Sequence, residues 1–108
     1  MTNVLFLIDS DGKYKGFRID GHTGYADDGE DIICAAVSAL SQNTVNSIDA
    51  FTEDRFSCNV DDGLLVFNMT ESRISAESQL LLNALVLGLE NIEKAYGSEF
   101  INIRTEEV

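Results

Sequence analysis

Two side chains in this sequence have the right types to act as a nucleophile and its base: Cys34 and the chain's single histidine, His22. A cysteine attacks as its thiolate, a form favoured near a helix N-terminus or beside a histidine. Asp31 is a residue type that caps helices, and Cys34 follows three positions later. This spacing predicts Cys34 in a first helical turn. Unpaired backbone N–H groups there favour negative charge and could hold an oxyanion. His22 falls at the end of a predicted strand, just before the loop that leads to Cys34. If that strand end lies beside the start of the helix, the imidazole can take the thiol proton and later protonate a leaving amine. Asp31 could also orient His22, as a third residue orients the base in many triads.

Plainer readings of the same residues stay open at this point. A cysteine on a helix packs as a small hydrophobe, and a histidine in a glycine-rich loop is often only exposed or hydrogen-bonded. The acidic run Asp27, Asp28, Glu30 and Asp31 could be a solvated loop, a weak calcium site or a contact for a basic substrate. It lacks the alternating ligand pattern of a calcium-binding loop, so no metal is expected there. Cys34 and Cys58 are the only cysteines, with no CxxC pair and no His/Cys cluster for zinc. Two free thiols and no cofactor are the expectation. Cys58 alternates with Phe56 and Val60 in a predicted strand and reads as core packing.

The elements that must position these groups are legible in outline. Val4 to Ile8 is a short apolar run that reads as a buried strand. Ser10 to Lys13 is a turn, and Tyr14 to Asp20 alternates as a second strand paired to the first. Residues 21 to 30 carry three glycines and several acids, and read as a long loop that could carry function. A helix is expected from Asp31 to about Ile48, with Ile33, Val37 and Leu40 on one stripe and small residues for close packing on a sheet. Arg55 to Val60 and Leu64 to Met69 flank Asp61-Asp62-Gly63, a hairpin signal. Ser75 caps a second helix through about Tyr96, striped by Leu81, Ala84, Leu85, Gly88, Leu89 and Ile92, and Gly97 ends it. Phe100 to Arg104 is a last strand, followed by an acidic tail expected to fray. The order is strand, strand, helix, strand, strand, helix, strand. This predicts one α+β domain over residues 1–108, with two helices packed on a mixed or antiparallel sheet.

Nineteen acidic against seven basic residues give a formal net charge of −12. Such a surface repels phosphate backbones and attracts basic partners, an attraction that weakens with salt. Direct nucleic-acid binding is therefore not expected. No stretch approaches the run of about 20 apolar residues of a membrane span, and no signal peptide is visible, so a cytoplasmic protein is expected.

Gly21-His22-Thr23-Gly24-Tyr25, followed by Gly29-Glu30-Asp31-Ile32-Ile33-Cys34-Ala35-Ala36-Val37-Ser38-Ala39-Leu40, resembles the ribosomal-processing cysteine proteases of the Prp family. Length and element order are similar over essentially the whole chain. The resemblance implies that His22 is the catalytic histidine, Cys34 the nucleophile and Asp31 the matching acid. It makes Gly21, Thr23, Gly24, Tyr25, Asp27, Asp28, Gly29 and Glu30 a mobile substrate-contacting loop, with Ser38 packed near the nucleophile. The family usually has alanine where this chain has Thr23. The resemblance further implies a substrate: the short N-terminal extension of the large-subunit ribosomal protein numbered twenty-seven, in Firmicutes and related bacteria. It also implies a homodimer. A basic extension would suit the acids at 27, 28 and 30. Two other functions fit the residues alone. One is a non-catalytic acidic ribosome-associated binding or assembly factor, and the other a redox sensor using Cys34.

Overall fold

Period-two alternation builds the sheet. In β1 (Thr2–Ile8), Thr2, Val4 and Phe6 are buried, while Asn3 and Leu5 are half-buried on the opposite face. A tight turn, in which Asp9 Oδ1 accepts from the backbone N–H groups of Asp11 and Lys13, leads into β2 (Tyr14–Asp20). These two strands pair antiparallel, with Phe6 opposite Phe17 and Val4 opposite Ile19. The chain continues through α1 (Asp28–Phe51), β3 (Phe56–Asp61), β4 (Leu64–Met69), α2 (Ala76–Tyr96) and β5 (Ile101–Glu107). The sheet order is β3-β4-β2-β1-β5, antiparallel except for the parallel β1–β5 pair, so the sheet is mixed. This computed structural model describes residues 1–21 and 28–108, the side chains of 28–31 excepted.

The core lies between this sheet and the two helices. Phe6, Phe17 and Phe67 follow one another across β1, β2 and β4, with ring centroids 5.8 and 5.1 Å apart. Phe56 of β3 adds a fourth ring, 5.1 Å from Phe67. Ile33, Val37 and Ile48 of α1 and Leu82, Leu85 and Leu89 of α2 complete it. Truncating one of these phenylalanines to alanine typically costs about 3–5 kcal/mol. The helices approach closely at Gly88, where an added Cβ would lie 3.0 Å from Leu40 Cδ1. Buried Ser41 and Thr44 return their hydroxyls to the carbonyls of Val37 and Leu40, each at 2.8 Å, and so enter the core without unpaired polar groups.

Several expectations hold and several are corrected. The α+β class, the element order, the Asp61–Gly63 hairpin, the Ser75 cap and the Gly97 terminus are all present. The first helix, however, runs Asp28–Phe51, so Asp31 lies inside it and is not its N-cap. The sequence Asp28-Gly29-Glu30-Asp31 offers carboxylates that favour an early helical turn, which outweighs the cost of one glycine. The α2 stripe is rotated: Leu82 is fully buried, whereas Ala84 is exposed. The acidic tail does not fray through residue 107, because β5 pairs with β1 as far as Ile8↔Glu107.

One carboxylate ties the end of α1 to the start of α2. Asp54 accepts from the backbone N–H and hydroxyl of Ser75, at 3.0 and 2.5 Å, and from the hydroxyl of Ser78. Ser75 in turn caps α2 by accepting from Ser78 N at 3.1 Å. Partial burial pushes the Asp54 carboxyl up, but the hydrogen bonds from Ser75 and Ser78 outweigh it and hold the group below its ordinary value of 3.8. A depressed carboxyl stabilises the fold above its unfolded value and loses that contribution as pH falls through the folded one. Asp54→Asn should therefore cost on the order of 1–2 kcal/mol at neutral pH. Urea unfolding of both proteins should show this difference shrinking below pH 3.8.

Candidate active site

Cys34 sits at the seventh position of α1 and faces the sheet, 7% exposed. Its Sγ lies 3.7 Å from Oγ1 of Thr2, which is itself buried at the first position of β1. Either atom can donate in this contact. Thr2 is in phase with Val4 and Phe6, so the alternation that buries those residues also turns the threonine hydroxyl toward the helix. That phase was the available signal for Thr2, which the motif-based reading missed.

The end of β2 meets the same corner. Asp20 pairs with Asn3, and Gly21 follows with φ +86°. A Cβ at Gly21 would collide with the carbonyl oxygen of Met1. Glycine is thus required both by the backbone angle and by the approach of the two chains. Gly21 touches Met1, whose neighbour Thr2 touches Cys34.

His22, Thr23, Gly24, Tyr25 and Asp27 lie outside the described residues. Asp28, Gly29, Glu30 and Asp31 belong to the backbone of α1 rather than to a loop, and their side chains lie outside the described set. The placement of Cys34 in a first turn is corrected. Free N–H groups belong to the first four residues of a helix, and Cys34 lies in the second turn of α1 as it runs from Asp28. Its amide has an i−4 carbonyl within the helix and is not one of those free donors. Ser38 is one turn beyond Cys34 on the same helix face, and its carbonyl accepts from Ser41 Oγ at 3.2 Å. Cys58 is half-buried, and burial pushes its thiol up, which keeps it protonated at neutral pH. Cys34 and Cys58 are both free thiols. Among the described residues, no helix is long and apolar enough to cross a membrane.

Comparison with known proteins gives the enzyme class of the chain. Residues 1–101 match the cysteine protease Prp family. The ribosomal processing cysteine protease Prp of Staphylococcus aureus is 32% identical over 105 residues, covering 96% of each chain. That of Bacillus subtilis is 31% identical over 85 residues, covering 74% of this chain and 76% of the relative. The S. aureus protease crystallised with a substrate peptide superimposes with a TM-score of 0.90 at 30% identity, over 98% of this chain and 100% of that one. The same protease with a covalently linked product peptide gives 0.86 at 30% identity, with the same coverage. The chain is a cysteine protease and belongs to the Prp family.

The Thr2–Cys34 contact makes a direct prediction. A hydroxyl that donates to a thiolate stabilises the reactive form, and valine keeps the shape without the donor. Thr2→Val should slow alkylation of Cys34 by iodoacetamide at neutral pH by roughly 3- to 10-fold. Thr2→Ser should retain most of the wild-type rate. Equal rates for Thr2→Val and wild type would make the contact packing alone.

Proposed function

We propose that this chain removes the N-terminal extension of the large-subunit ribosomal protein numbered twenty-seven, with Cys34 as nucleophile and His22 as base. The observation that carries this reading is the position of Cys34, held against Thr2 at the corner where Gly21 delivers the chain to residue 22. Membership of a family whose characterised relatives are called ribosomal processing proteases supports the substrate class. A relative captured with a covalently linked product peptide supports a covalent route.

In this mechanism His22 takes the proton of the Cys34 thiol, and the thiolate sulfur attacks the scissile carbonyl carbon. The tetrahedral intermediate collapses as the protonated imidazole gives its proton to the leaving amine. This breaks the C–N bond and leaves a thioester on Cys34. Water, deprotonated by His22, attacks the thioester and releases the new carboxylate and the thiol. Asp31 orients the imidazole, and residues 21–30 contact the extension, with the acids at 27, 28 and 30 attracting its basic residues. In the same reading residues 1–108 act as one protease domain that works in the cytoplasm as a homodimer.

The test is incubation of wild-type, Cys34→Ala and His22→Ala proteins with the extended ribosomal protein of the same organism, followed by intact mass. A defined N-terminal loss is expected with wild type, none with Cys34→Ala, and a rate lower by about 10²-fold or more with His22→Ala. Undiminished cleavage by Cys34→Ala would remove the nucleophile from this scheme. No cleavage by folded, reduced wild type would remove the substrate.

A further inference from the structure

Attack by the Cys34 thiolate, as proposed above, puts negative charge on the oxygen of the scissile carbonyl. An enzyme gains most by holding hydrogen-bond donors where that charge develops. The amide of Cys34 is not such a donor, because it lies in the second turn of α1 and bonds to a carbonyl within the helix. The donor that the structure does place at the thiol is a side chain: Oγ1 of Thr2 stands 3.7 Å from Sγ of Cys34.

Three features of Thr2 fit it to an oxyanion. The first is distance. The oxygen that becomes charged is two bonds from the sulfur, through the attacked carbon. A hydroxyl 3.7 Å from that sulfur can therefore meet the oxygen at the distance of about 2.7–3.1 Å that an oxyanion donor requires. The second is its present partner. Thr2 is 2% exposed, and among the described residues the thiol is the one group that its hydroxyl meets. A neutral thiol is a weak acceptor, so this buried hydroxyl is poorly satisfied before the reaction and well satisfied by an oxyanion. A contact that is weak in the ground state and strong in the transition state lowers the barrier. The third is preorganisation. Thr2 opens β1, its N–H donates to the carbonyl oxygen of Phe100 at 2.9 Å, and Ile101 of β5 lies opposite it. A β-branched side chain on such a fixed backbone has little rotamer freedom, so the hydroxyl is in place before a substrate arrives.

We infer that Thr2 is a catalytic residue of this protease: its hydroxyl donates a hydrogen bond to the tetrahedral oxyanion formed when Cys34 attacks the scissile carbonyl. The inference rests on the cleavage reaction above and adds the group that holds its charge. As the S–C bond forms, the carbonyl π electrons move onto oxygen, and the hydroxyl turns from sulfur to that oxygen. No proton is transferred in this step. When the C–N bond breaks and the leaving amine takes its proton from His22, the carbonyl re-forms and the charge is gone. The same donor serves the second intermediate, when water attacks the thioester.

The experiment compares wild type, Thr2→Val and Thr2→Ser on a synthetic peptide spanning the extension and its cleavage point, with alkylation of Cys34 by iodoacetamide measured on the same samples. Alkylation displaces iodide and forms no oxyanion, so it reads the thiolate alone. Thr2→Val should lower kcat by about 10²-fold or more, well beyond its effect on alkylation, with KM little changed. Thr2→Ser, which keeps the donor, should recover most of kcat. Cleavage by wild type, with kcat of Thr2→Val reduced no more than its alkylation rate, would overturn the oxyanion role and leave the protease reading intact. A kcat for Thr2→Ser as low as that for Thr2→Val would also overturn it, since shape rather than the hydroxyl would then matter. Absence of cleavage by wild type would overturn the reaction on which the inference rests, and the role of Thr2 with it.

Discussion

The register of β1 against β2 is the constraint on which the site depends. Phe6 opposite Phe17, and Val4 opposite Ile19, place every second residue of both strands under the helices. Two residues further along, the same phase turns Thr2 toward Cys34 and brings Gly21 against Met1. A slip of one residue would expose the aromatic row and turn the threonine to the far face. Core and candidate site therefore share one determinant. The phenylalanines enforce the register because mispairing would put their rings in water, and the corner inherits its geometry from them.

The helices are fixed to this sheet by different means. The first carries the candidate nucleophile and packs through Ile33, Val37 and Ile48, while its buried hydroxyls bond back to its own carbonyls. The second is anchored at its start by Asp54, Ser75 and Ser78, and by Gln79, whose amide exchanges hydrogen bonds with the backbone of Tyr14 at 2.8 and 2.7 Å. Side-chain amide bonds to a strand backbone fix both the height and the rotation of α2. That rotation is what buries Leu82 in preference to Ala84.

The described part of the candidate site is built on regular elements. Cys34, Thr2 and Gly21 are held by helix and strand, the elements best able to keep atoms in place. The position of Cys34, the candidate nucleophile, is set by the packing of α1 against β1.

Local patterns were sufficient for much of this molecule. Alternation gave the strands, Asp61-Asp62-Gly63 the hairpin, Ser75 and Gly97 the limits of α2, and the Gly-His and Asp-Ile-Ile-Cys-Ala-Ala segments the family. These features depend on neighbours in the chain, so they can be read there. The start of α1 at Asp28, before the expected cap, could not, because an acidic stretch with a glycine suits either loop or helix. Nor could the pairing of the acidic tail with β1, the Thr2–Cys34 contact or the Asp54 junction. Each joins residues far apart in sequence. Sequence determined which groups could do chemistry; tertiary structure decided what stands next to them, because proximity across a sheet is set by register and packing and not by spacing along the chain.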